Sequence, residues 1–146
     1  VGTTNDYVIA EPLLGGTTFT ATLTWLRNRF FDSANRTYAD VAQADLNLSV
    51  WALDGSDDFT SLIASSESLY NTVEHLSFTL PVTGSYGLRI GYPLNTFDNT
   101  IGNVWGVVNN PQDYAVSWQA VPEPNTLVLL ATAAAGLALR ARRWGS

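Results

Sequence analysis

The residues that could do chemistry in this chain are few, and they do not assemble into a familiar catalytic set. The single histidine, His75, stands beside Glu74, but a serine nucleophile working with it would need a sharp turn of the G-x-S-x-G kind, and no such segment occurs. Asp57-Asp58 follow Asp54-Gly55, where turn formation accounts for them. There is no Walker loop, dinucleotide fingerprint or His-based zinc spacing. The absence of Cys removes disulfides, thiolate metal sites and a cysteine nucleophile together. No catalytic residue is therefore expected in this chain. Oxygen ligands are better represented. Asp45 and Asn47 alternate with Leu46 and Leu48, which predicts that both polar side chains emerge on the outer face of one strand, and Asn71 and Glu74 lie just before the strand Leu76–Leu80. Calcium takes roughly six to eight oxygens of this kind, so these four are the candidate metal ligands and calcium the candidate cofactor, the competing and more ordinary reading being simple surface polarity, since no dense loop motif occurs. Trp51, on the face opposite Leu48 and Val50, is the candidate for stacking on a sugar ring; the competing reading puts it under a loop or second layer, the usual place for a large aromatic.

The elements that must position these residues read as β-strands. In Thr18–Trp25 the residues Phe19, Ala21, Leu23 and Trp25 point one way and four threonines the other, the signature of a half-buried strand. The same period of two recurs at Leu46–Val50, Leu76–Leu80, Tyr86–Tyr92 and Tyr114–Trp118, with weaker runs at Asp6–Ala10 and Leu62–Ser65. Gly15-Gly16, Asp54-Gly55, Thr83-Gly84 and Asn109-Asn110-Pro111 supply the turns. About seven short strands with one apolar face each predict an all-β fold, a two-sheet antiparallel sandwich of the jelly-roll kind, over residues 1–120. Asn28–Ala44 and Pro93–Gln112 are polar and are expected as long connections.

The chain changes character after Val121. Residues 121–125 form a proline-bounded linker in which Pro122 and Pro124 stop the last strand, and 126–146 read as a transmembrane helix with a basic tip. Leu127–Leu139 has no polar face, so it must be enclosed by protein or lipid, and Arg140, Arg142, Arg143 and Trp144 suit a membrane edge. The stretch from Thr126 to Leu139 makes about 21 Å of helix against a hydrocarbon core of about 30 Å, a short span completed by arginine snorkelling. Four of the seven arginines precede Pro124 and three follow Leu139, whereas all 13 carboxylates lie at or before Glu123. An acidic body repels phosphate backbones and excludes nucleic acid as a natural partner, and an arginine tip belongs on the cytoplasmic side, leaving the body outside. With no Met anywhere, the chain is expected to be the C-terminal piece of something longer, any export signal lying upstream.

Pro122-Glu123-Pro124, the apolar run and the terminal Arg140-Ala-Arg-Arg143 resemble the PEP-CTERM sorting signal of Gram-negative and related bacteria. That resemblance implies a tail held transiently in the inner membrane and processed by an exosortase, an integral-membrane cysteine protease. It implies delivery to the cell surface or into extracellular polysaccharide, typically in biofilm-forming species. A second resemblance rests on Thr20-Ala-Thr-Leu-Thr-Trp25, Ala44-Asp-Leu-Asn-Leu48, Tyr70-Asn-Thr-Val-Glu74, Gly84-Ser-Tyr-Gly-Leu-Arg-Ile90 and Asp113-Tyr-Ala-Val-Ser-Trp118. In this order they are similar to the β-sandwich appended to some subtilisin-like serine peptidases, with Asn47 and Thr72 departing from the usual Asp and Asn. It implies a stabilising or substrate-engaging accessory domain with the catalytic domain upstream. The alternative is a free-standing extracellular-matrix or carbohydrate-binding module.

Overall fold

The computed structural model describes residues 2–98 and 112–122. Eight strands occur among them: β1 (Thr3–Val8), β2 (Thr18–Trp25), β3 (Asn28–Asp32), β4 (Thr37–Leu53), β5 (Phe59–Ser66), β6 (Val73–Thr79), β7 (Tyr86–Asp98) and β8 (Tyr114–Val121). They form two antiparallel sheets. A five-stranded sheet runs β1-β7-β4, with β3 and β5 taking successive stretches of the remaining edge of β4; a three-stranded sheet runs β6-β2-β8. The all-β, two-sheet architecture expected from alternation is what the chain adopts.

The core lies between the sheets. Phe19, Ala21, Leu23 and Trp25 of β2 face Leu46, Leu48 and Val50 of β4 and Tyr86, Leu88 and Ile90 of β7, with Leu76 of β6 completing the layer; all are buried. Each large side chain so placed contributes about 1.5–3 kcal/mol relative to exposure, and β2 and β4 supply the densest rows because both have neighbours on two sides. The sheets are also joined by polar links. The Trp25 indole Nε1 donates to the Ala44 carbonyl at 2.9 Å, and the Tyr7 and Tyr114 hydroxyls meet at 2.6 Å where β1 and β8 form the sandwich edge.

Two segments expected as loops are strands. Asn28–Asp32 and Thr37–Ala42 pair as an antiparallel hairpin, its turn placing Arg36 at φ 53°, and β7 continues through Pro93 to Asp98 against β4. The residues here lack the strict alternation that marks β2, and Phe31 is 47% exposed. The remainder of the second expected connection, and the helix expected over 126–146, lie outside the described residues. No helix among the described residues is long and apolar enough to cross a membrane.

The end of the sandwich formed by the β1–β2 and β6–β7 connections is tightly interlocked. Leu13 and Gly84 exchange both backbone hydrogen bonds, Gly16 N donates to Leu80 O and Leu80 N to Thr17 O. Gly15 packs so closely that a Cβ there would stand 2.8 Å from the Val82 carbonyl carbon. Gly15→Ala is therefore expected to cost about 1–3 kcal/mol in urea unfolding, since backbone must move to admit it. Gly55→Ala, with nothing within 4 Å, should stay within a few tenths of the parent.

Candidate functional site

Three places in the fold gather the residues singled out by their chemistry. The first lies along β4 between its two edge partners. β3 pairs with residues up to Ala42 and β5 begins at Leu48, so Gln43–Asn47 have β7 on one side and no strand on the other. The β5–β6 connection closes against this gap, with Gln43 Nε2 donating to the Asn71 carbonyl at 3.3 Å. Gln43 and Asp45 are consequently buried, Asp45 to 4% exposure, although alternation places Asp45 on the outer face where solvent was expected. Glu74 departs from expectation too. It lies within β6, in register with Leu23, so its side chain points inward and is 2% exposed. The Ser66 hydroxyl donates to Glu74 Oε2, but Glu74 Oε1 and Asp45 Oδ1 are buried without a hydrogen-bond partner. Burial, reinforced by the charge of Glu67, raises the Asp45 carboxyl above its ordinary value.

Of the four residues expected to hold calcium, Asp45 and Glu74 thus each offer one free buried oxygen. Asn71 is exposed and engaged through its backbone carbonyl, and Asn47 is half-buried beside Gly91. No group of three or more His, Cys, Asp or Glu side chains placed to hold one ion occurs among the described residues. Two carboxylate oxygens fall well short of the roughly six that calcium takes.

The second place is the outer face of the five-stranded sheet. Asp6, Ser49, Trp51 and Arg89 share it by register. Arg89 grips Asp6 through Nε to Oδ1 at 2.7 Å and Nη2 to Oδ2 at 2.8 Å, a bidentate pair that holds the Asp6 carboxyl below its usual range. The same guanidinium stacks over two rings, 5.0 Å from the Trp51 centroid and 4.6 Å from that of Phe59. Trp51 Nε1 donates to Ser49 Oγ at 2.9 Å, and Ser49 Oγ to the Arg89 carbonyl at 3.2 Å. Phe59 lies on the backbone of Gly87, where a Cβ would come within 2.5 Å of the ring. Trp51 is therefore a half-buried member of a stack, and Arg89 covers ring surface that a sugar would need.

The third place is the exit of the chain from the sandwich. β8 is an edge strand paired along its whole length with β2, and its last pair is Val121 with Thr18. Pro122 follows without a ladder partner, because proline has no amide to offer. Glu123, Pro124, Arg140, Arg142 and Arg143 lie outside the described residues. Residues 120–143 match the family model for the PEP-CTERM protein-sorting motif. The segment is thus similar to a sorting signal. The PEP-CTERM match begins on the last two residues of β8 and ends on the arginine cluster. Such signals mark proteins that are exported, anchored in the membrane before processing, and handled by an exosortase. No curated protein matches the chain.

Sequence reasoning reached Asp45, Glu74 and Trp51 but not their partners. Gln43, Ser66, Phe59 and Arg89 become neighbours only through the pairing of β4 with β5 and β7, which no local pattern specifies. The outer-face alternation of Arg89 with Gly87 was the one available signal. For Asp45 the sign of the pH effect is fixed: its folded pKa lies above the unfolded one, so its contribution is most favourable below the unfolded value, about pH 4, and is lost as pH rises through the folded value. Asp45→Asn, which keeps the shape and removes the charge, is expected to raise the unfolding free energy at pH 7 by on the order of 1 kcal/mol, the gain vanishing below about pH 4 in urea titrations. A variant less stable than the parent at pH 7 would instead mean that a cation neutralises this carboxylate.

Proposed function

We propose that this chain is the non-catalytic C-terminal β-sandwich of an exported bacterial protein, held at the inner membrane by its tail until an exosortase processes it, then delivered to the surface or extracellular matrix. The observation that carries this reading is where the sorting motif meets the fold. The match starts at Ala120 and the last strand among the described residues ends at Val121, so nearly the whole matched segment follows the described strands and their core. The charge distribution supports the same reading, since the three arginines after Leu139 form a cationic stop behind an uncharged apolar run, while every carboxylate lies on the body side of it.

The body serves as an accessory domain of a subtilisin-like peptidase whose catalytic domain lies upstream. Support comes from the five segments similar to that family's appended sandwich, which in this chain fall on β2, β4, the entry to β6, β7 and β8. An accessory role also fits the state of its polar groups: the Trp51–Arg89–Asp6 stack and the buried Asp45 and Glu74 serve packing rather than a reaction centre.

Mass analysis of the product in cells with and without an exosortase tests the sorting half. Cells with the enzyme should yield a body lacking the segment Leu127–Ser146, and replacing Pro122, Glu123 and Pro124 together with Ala should leave the chain full length. Exchanging Arg140, Arg142 and Arg143 for Gln should scramble tail orientation in a reporter fusion, as loss of about three cytoplasmic charges removes the orientation bias. Unaltered processing and topology in both variants would sink the reading.

A further inference from the structure

The sorting tail leaves from one particular end of the sandwich, and that end exposes three large apolar side chains beside Glu11 and the turn Asp54–Asp58. Val121 closes β8 beside Thr18, the first residue of β2, so the tail exits next to the connection Ile9–Thr17. The β6–β7 connection, Leu80–Ser85, lies at the same end and is laced to it through Leu13 with Gly84, Gly16 with Leu80 and Leu80 with Thr17. Three large apolar side chains face outward here: Leu14 at 54% exposure, Val82 at 60% and Val121 at 49%. Their positions are fixed. The buried Tyr86 donates its hydroxyl to the Val82 carbonyl at 2.6 Å, Gly15 N donates to Thr83 Oγ1 at 2.9 Å, and the Val82 backbone sits directly on Gly15. The fold therefore holds Leu14 and Val82 out on a braced platform where ordinary loop chemistry would present polar groups.

The length of the tether decides what covers them. From Val121 to Thr126, where the apolar run begins, fully extended chain reaches at most about 17 Å, and two prolines keep it stiff. The headgroup layer on one side of a bilayer takes about 6 Å of that reach. The opposite end of the sandwich also exposes apolar residues, Leu26, Tyr70 and Val73, but it lies a further 25 Å or so away along an eight-residue strand, so it stays in water when the body stands on its exit end. The turn Asp54–Asp58 caps the five-stranded sheet at the exit end, whereas the tail leaves from the three-stranded sheet, so tipping that end toward the three-stranded side turns the three aspartates away from anionic lipid.

We propose that Leu14, Val82 and Val121 form a lipid-contact face that seats the sandwich in the interfacial layer of the membrane holding its tail. This rests on the sorting reading, and it adds that the body stands on its exit end instead of swinging free, so that the chain leaves the sandwich at Pro122 close to the membrane surface in one orientation. Insertion is shallow: an interfacial contact needs a small apolar tip, not a span.

Full-length protein in vesicles of phosphatidylethanolamine with a minority of phosphatidylglycerol provides the test. The chain contains no Cys, so Val82→Cys, Tyr70→Cys and Leu129→Cys each accept one environment-sensitive label. The label at 129 should be quenched by acyl-chain quenchers and the label at 70 by aqueous ones, while aqueous quenching at 82 should be at least about fivefold weaker than at 70, with shallow lipid quenchers effective instead. Leu14→Asp in the Val82→Cys background should restore aqueous quenching at 82 without changing the melting temperature. Aqueous quenching at 82 equal to that at 70, with 129 in lipid, overturns the lipid face and leaves the tail reading standing. An aqueous label at 129 removes both. Protection at 82 that disappears as the protein is diluted among vesicles would identify a second copy as the cover and likewise overturn the proposal.

Discussion

The sandwich is closed by one buried hydrogen bond, from the Trp25 indole to the Ala44 carbonyl. Among the described residues β4 alone pairs with three other strands, and the two along one of its edges do not meet; Ala44 falls in the stretch between them. A ladder carbonyl left unpaired in the interior costs about 1–3 kcal/mol. Trp25, the last residue of the central strand of the opposite sheet, satisfies it while filling the core, and its own amide is tied to Thr72 O at the entry to β6. One side chain thereby joins both sheets and the crossing between them.

The rest of the polar interior follows from the same gap. Where a strand has no neighbour on one edge, something else must cover its backbone, and here the β5–β6 connection does so, drawing Gln43 to Asn71. Asp45 is buried as a by-product of that cover, and Glu74 by the register that matches it with Leu23. On the outer face of the same sheet Arg89 is used three times over, against Asp6, Trp51 and Phe59, which lends a solvent-facing surface the order of a small second core. In each case packing constrains the titratable groups.

Much of this fold was legible in the residues because burial of one face leaves a mark every second position. Phe19 to Trp25, Leu46 to Val50 and Tyr86 to Ile90 all point inward as their alternation required. The β3–β4 hairpin left no such mark, since Asn28–Ala42 lacks a strict apolar alternation and the pairing of the two strands is not recorded by local patterning. The misplacement of Asp45 has a related cause. Alternation states which side of a strand a residue takes, but not whether a distant connection lies across that side. Trp51 was placed on the correct face and could not have been paired with Arg89 without knowing that β4 lies beside β7. The sorting signal was the most readable part of all, because its information is local: a short motif, an apolar length and a cluster of charge.

β8 is both the last strand among the described residues and one wall of the smaller sheet. Under the proposed export, a polypeptide threaded through a translocation channel from its N-terminus emerges with β8 after the other described strands and directly ahead of the sorting segment. Until then β2 presents an unzipped flank eight residues long, the kind of open ladder that recruits foreign strands. On that reading completion of the sandwich and arrival of the tail fall together, because the strand that closes the smaller sheet immediately precedes the sorting segment.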